Sequence, residues 1–97
     1  MNIQAMMAQA RKLQKDLEKT TNEIESKAFT YENENVLVEA LGTNEIKKIE
    51  IKNDSIMEDK ELCADIVLVG INDVLNQIKK EKDSKLGKYT NGLGGLF

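Results

Sequence analysis

Val36-Leu37-Val38-Glu39-Ala40-Leu41-Gly42-Thr43-Asn44-Glu45-Ile46-Lys47-Lys48-Ile49-Glu50-Ile51-Lys52 is the stretch that decides the fold of this 97-residue chain. Side chains alternate sides along an extended strand, so Val36, Val38 and Ala40 share one face. Gly42-Thr43-Asn44 then breaks the run with residues that tolerate left-handed backbone or hydrogen-bond to it locally. Residues 46–52 resume the extended pattern, with Ile49 and Ile51 on one face. A connection this short joins antiparallel neighbours, because a parallel crossover needs roughly a dozen residues. Just upstream, residues 28–32 form another β-branched and aromatic segment, joined through Glu32-Asn33-Glu34-Asn35. The reading is a three-stranded antiparallel meander with one strongly apolar face.

Helical periodicity lies on both sides of it. Ile3, Met6, Ala10, Leu13, Leu17, Thr20 and Ile24 are spaced alternately by three and four residues, which is a heptad stripe. The positions between are mostly Gln, Lys, Glu and Asn, so this helix touches a neighbour along a narrow seam and projects from the body. After the meander, Ser55-Ile56-Met57-Glu58 has capping-box spacing, and a second helix is expected from about 60 to 82. Its broad apolar sector, Cys63, Val67, Gly70, Ile71, Val74, Leu75 and Ile78, should cover the sheet. Leu62, Ile66 and Val69 form a second stripe on the other side, which one small sheet cannot also bury. A self-complementary homodimer is the economical way to cover them, and folding back of the first helix is the alternative. The fold class is α+β, an α-β-β-β-α protomer with a projecting N-terminal helix and a long C-terminal one.

One domain, residues 1–86, accounts for most of this length. Residues 87–97, which include Gly92-Leu93-Gly94-Gly95, are expected to be a flexible tail. The chain is 40% hydrophobic and 32% charged, a composition of folded globular chains. Residues 1–10 lack the basic opening and apolar run of a secretory signal, so a cytoplasmic location is expected. The longest apolar run, residues 66–71, is far short of the roughly 20 residues of a membrane span. Cys63 is the only cysteine and lies among apolar neighbours, which favours a buried, inert thiol.

The sequence argues against catalysis. It has no histidine for general-base work and no nucleophile with an activating partner. Glu58, Asp59 and Glu61 are clustered acids at a helix start, where the helix dipole stabilises them without a metal. The glycine run lacks the strand and helix that orient a phosphate loop. No enzyme, cofactor or metal is expected.

Charge is distributed unevenly. Residues 1–19 carry +2, residues 20–78 carry −8, and residues 79–97 carry +3, for a net −3. Basic ends flanking an acidic middle can focus a polyanion on one part of the surface, provided the fold brings the ends together. Arg11, Lys12, Lys15 and Lys19 follow one face of the first helix, and Lys79, Lys80 and Lys82 close the second. Local pairing of Lys15 and Lys19 with Asp16, Glu18 or Glu23, and the preference of cations for helix C-termini, explain the same residues without a ligand. Thirteen of the fourteen basic residues are lysines, which meet phosphate as point charges and lack the fork that reads guanine. No aromatics are interleaved with them, so duplex backbone suits the set better than single strands.

Met6-Met7-Ala8-Gln9-Ala10-Arg11-Lys12-Leu13-Gln14-Lys15 resembles the first helix of the YbaB/EbfC family of bacterial nucleoid-associated proteins. Ile46-Lys47-Lys48-Ile49-Glu50-Ile51 is similar to its third strand. Asp59-Lys60-Glu61-Leu62-Cys63-Ala64-Asp65-Ile66-Val67 and Ile71-Asn72-Asp73-Val74 resemble its last helix. The resemblance spans essentially the whole chain. It implies a homodimer whose helices project like tweezer arms and hold double-stranded DNA, in the nucleoid, through Arg11, Lys12, Lys15 and Lys19 with Lys79, Lys80 and Lys82. Two features depart from the family: Asn33-Glu34-Asn35 stands where glycines are usual in the first hairpin, and Gly94-Gly95 where a tail proline is frequent. Two functional readings follow. In one, a dimer organises the chromosome and affects gene expression through phosphate contacts; in the other, the helical stripe docks a replication or recombination/repair protein and the charges serve solubility.

Overall fold

A computed structural model describes residues 2–94, with side chains described through Tyr89. Helix α1 (Ile3–Glu25) leads into strands β1 (Ala28–Glu32), β2 (Val36–Leu41) and β3 (Ile46–Ile51), and helix α2 spans Lys60–Gly94. The sheet order is β1-β2-β3, antiparallel throughout, as the alternation and the short turns require. Phe29 pairs with Ala40 and Tyr31 with Val38 on one side of β2, and Val38 with Ile49 and Val36 with Ile51 on the other. All of these side chains point to one face. Between Glu39 and Ala40 the β3 register slips, so Ala40 pairs with Ile46.

The first turn is closed by a side chain. Asn33 Oδ1 accepts hydrogen bonds from the backbone amides of Asn35 and Val36 at 2.9 and 3.0 Å, an Asx turn that needs no glycine. In the second turn Asn44 takes the left-handed conformation, with φ 72°. Gly42 serves close approach instead: a Cβ there would lie 1.8 Å from the Ile24 carbonyl oxygen. The end of α1 thus rests directly on the β2–β3 turn.

The expected capping box does not form. Residues Asp54–Glu58 make a separate 3-10 turn capped by Asn53, whose side chain accepts from the Ser55 amide at 3.1 Å. Asp59 opens α2 by accepting from the Leu62 amide at 3.1 Å. Asn and Asp here displace Ser55 and Glu58 because they stand immediately before the two helical segments, where the free amides are.

Helix α2 lies chiefly across β1 and β2. Val74 and Ile78 are fully buried against Val38, Ala40, Phe29 and Ile24, and Gly70 lets the helix approach Val38 and Tyr31. Beyond the sheet the helix continues past the expected end near Lys82 to Gly94. Two neighbours, Leu86 and Tyr89, turn towards α1 and sustain it: Leu86 packs partly buried on the core and Tyr89 is buried. That packing offsets the roughly 1 kcal/mol that Gly87 costs in a helix. Residues 95–97 of the expected tail lie outside the described residues.

The two helices run antiparallel. Lys27 Nζ, just after α1, is 2.8 Å from Glu81, and Thr20 stands opposite Tyr89 with their hydroxyls 3.5 Å apart. This helical hairpin projects from the body and gives extents of 69 × 21 × 16 Å and a radius of gyration of 19.4 Å, against about 13 Å for a compact chain of this length.

Candidate nucleic-acid interface

An antiparallel hairpin of α1 and α2 joins the two basic ends of the sequence. With Lys27 opposite Glu81 and Thr20 opposite Tyr89, the basic residues of α2 line the base of the projection and Arg11, Lys12, Lys15 and Lys19 its outer part. At 1.5 Å per residue the array extends about 24 Å along the axis. Asp16, Glu18, Glu23, Glu25, Glu81 and Asp83 share these helices, and the other carboxylates lie elsewhere, among them Glu32, Glu39 and Glu50 on the polar face of the sheet and Glu58, Asp59, Glu61 and Asp65 at the start of α2.

On α1 the stripe that meets α2 and the basic face lie about 155° apart at 100° per residue. Leu13, Leu17 and Thr20 are half-buried and Ile24 is buried, whereas Arg11, Lys12, Lys15 and Lys19 are all exposed. Packing therefore aims the four cations outward. Local pairing with Asp16, Glu18 or Glu23 does not form. Among the described residues, ion pairs engage Lys27, Lys47, Lys48, Lys52 and Lys85, and none engages the seven candidates on the two helices.

The α2 cluster is less coherent than its sequence spacing indicates. Lys80 and Lys82 project about 200° apart around the helix. Lys80 lies in a groove between β1 and α2 with Lys27, Gln77, Ser84 and Lys85, while Lys79 and Lys82 line other sides of α2. Lys27 is a cation that the sequence reading missed, because its neighbours in this groove come from more than 40 residues downstream. Within the groove Glu81 binds both Lys27, at 2.8 Å, and Lys85, at 3.3 Å. The Lys27 hydrogen bond, reinforced by Lys85, holds the Glu81 carboxyl below its ordinary pKa against the opposing effect of burial. Two lysines at the base are thereby engaged with a carboxylate, and the unpaired charge lies on α1 and on Lys79, Lys80 and Lys82.

Leu62 and Val69 are exposed and Ile66 is half-buried, so α1 does not fold back over them. Ile66 and Val69 share a hollow with Tyr31, Asn33 and Asn35 beside the first turn. The opposite flank holds an apolar groove: Cys63, Val67 and Ile71, from the sector expected to cover the sheet, line it with Met57, Ala64 and Leu68. Because α2 leans towards β1, this flank stays open and Ile49 on β3 remains 44% exposed. Among the described residues no group of His, Cys, Asp and Glu side chains could hold a metal ion, and no helix is long and apolar enough to cross a membrane.

The chain is similar to known proteins over nearly its whole length. The YbaB/EbfC DNA-binding family matches residues 1–93. A nucleoid-associated protein of Lactococcus lactis is 43% identical over 96 residues, covering 96% of this chain and 97% of that protein. One from Enterococcus faecalis is 39% identical over 98% of this chain and 94% of its own length. A third, from Metamycoplasma arthritidis, is 39% identical over 94% of this chain and 97% of its own.

Proposed function

Since this chain belongs to the YbaB/EbfC DNA-binding family, we propose that it is a nucleoid-associated protein, not an enzyme, that binds double-stranded DNA along its helical hairpin. Contacts run mainly to backbone phosphate, through Arg11, Lys12, Lys15 and Lys19 with Lys79, Lys80 and Lys82. The observation that carries this reading is the convergence of both basic ends on one projection whose candidate cations are free of carboxylates. Lysines without an aromatic platform supply affinity and little base discrimination. Its place of action is the nucleoid, in the cytoplasm, where such binding organises the chromosome and affects gene expression. The direct test is anisotropy titration against random-sequence duplex at two salt concentrations, with Lys12→Glu/Lys15→Glu alongside. Binding that weakens with salt and disappears in the variant supports the proposal; equal binding by the variant defeats it.

The working unit in this proposal is a homodimer. Its contact surface is the exposed apolar flank of α2 at Leu62, Ile66 and Val69, and a two-fold pair would cover it reciprocally.

A second reading, docking of a replication or repair protein on the stripe of α1, is favoured by the exposure of Met6 at its outer end. It predicts that Leu13 or Leu17 substitutions matter more to function than Lys12 or Lys15.

A further inference from the structure

Among the described residues the outer end of α1 has no partner. With Thr20 opposite Tyr89 and the helices antiparallel, Gly94 at the described end of α2 comes level with about residue 15 of α1. Roughly three turns of α1 extend further. At their end Ile3, Met6 and Met7 are 72%, 49% and 53% exposed. These are three large apolar side chains within five residues, on a helix start ordered by Asn2, whose side chain accepts from the Gln4 amide at 2.9 Å. Such a cluster on an otherwise polar projection marks a contact surface.

Its electrostatic setting selects the occupant. Residues 2–15 contain no Asp or Glu, in a chain that has 17 of them. The first turn of α1 carries no acidic residue, so the positive end of the helix dipole is uncompensated. Arg11, Lys12 and Lys15 follow within two or three turns and are unpaired. A second copy docked tip to tip would set two uncompensated helix N-termini against each other. A polyanion with an apolar interior fits instead, and duplex DNA is one: phosphates outside, stacked bases within.

Resting on the proposal that the hairpin holds DNA, we propose that Ile3, Met6 and Met7 form a wedge that enters the duplex between adjacent base pairs and bends it. Apolar side chains inserted from the minor groove unstack a base step and kink the helix away from themselves, and Met, unbranched and flexible, adapts to such a gap. Arg11 and Lys15 follow Met7 at four-residue steps, about 6 and 12 Å further along the same side of the helix, where they meet the phosphates flanking the opened step. Phosphate contacts then set affinity, and the wedge sets the shape of the complex.

The test uses the full chain and a duplex of about 30 base pairs of random sequence, labelled at both ends for energy transfer, with α1 integrity checked by circular dichroism. Wild-type protein should raise the transfer efficiency on binding. The variant Ile3→Ala/Met6→Ala/Met7→Ala, which keeps a good helix former at each exposed site, should bind within about threefold of wild type with the same salt dependence and lose most of the rise. Wild-type binding without a rise, or a rise retained by the variant, overturns the wedge. So does a loss of affinity beyond about tenfold, or a change of sedimentation coefficient in the free variant, which would assign the tip to a second copy. If wild type fails to bind DNA even at low salt, the DNA reading fails with it; binding without bending removes the wedge alone.

Discussion

The Thr20 hydroxyl lies 3.5 Å from the phenol oxygen of Tyr89, and this pair fixes the alignment of the two helices. Tyr89 is 7% exposed although its helix has by then left the sheet. Its ring is buried in the seam, and the long hydroxyl contact adds little. Tyr89→Ala should therefore cost about 3 kcal/mol and speed amide exchange along α1, whereas Tyr89→Phe should cost under about 1 kcal/mol. Thermal unfolding and hydrogen exchange give both values; equal losses in the two variants would contradict this division.

For DNA binding, log affinity should fall linearly with log salt, with a slope of about −0.9 per phosphate neutralised. Lys12→Ala/Lys15→Ala should flatten that slope by roughly 1.8. Lys47→Ala/Lys48→Ala removes as much charge from lysines paired to Glu45 and Glu50 on the sheet, and should leave the slope unchanged. If both pairs flatten it alike, net charge governs binding and the hairpin does not.

Glu81 predicts a response to acid. Its folded pKa is depressed, first by the Lys27 hydrogen bond, so its stabilisation is complete above the unfolded value of about 4.3 and is lost as pH falls through the lower folded value. Glu81→Gln should be less stable than wild type by about 1 kcal/mol at pH 7. The two should converge as pH falls below about 4. Chemical denaturation at pH 7 and pH 3 measures the gap; a gap that widens in acid would refute the assignment.

Two glycines should rank differently. Gly42→Ala sets a methyl against the Ile24 backbone, which cannot rotate away, and should cost at least about 3 kcal/mol. At Gly70 the nearest atom is the Val38 Cγ2 methyl at 2.7 Å. The gain in helix propensity partly offsets that clash and leaves a loss of about 1 kcal/mol. Denaturant midpoints of the two variants give the order.

The proposed dimer makes a positional prediction. Val69→Asp places a charge on a side chain that is 56% exposed in the protomer, so it should leave the fold intact and yield a monomer in sedimentation. Leu68→Asp, on the open groove of the other flank, should sediment as wild type does. A reversal of these results would move the interface to the groove that holds Cys63, and a monomeric wild type would remove the dimer.

Local pattern made the architecture legible. Alternation at Val36, Val38 and Ala40 located the central strand, and the heptad stripe from Ile3 to Ile24 gave α1 to within a residue of its end. Features that depend on distant chain were hidden. Gly42 reads as a turn glycine until Ile24 is set against it, and the end of α2 cannot be found without α1 to pack Tyr89. Of the basic residues, the α1 set was readable because one helix face holds it. Lys80 and Lys82 look adjacent in sequence yet diverge around the helix, and Lys27 joins Lys80 only through the fold. The half-burial of Cys63 and Val67 is not legible in the sequence, because periodicity gives the angle between side chains and not the lean of a helix across its sheet.

The seam between α1 and α2 joins positions 69 residues apart, whereas the meander closes through turns of a few residues. Closing the longer loop loses more chain entropy, so the order of assembly runs from the sheet outward, and the projecting arm is the last part to form. Opening runs the other way: the arm can part from its neighbour while the strands stay paired. The chain thus carries its cations on its least cooperative part, where it can reshape to an uneven polymer without unfolding the remainder.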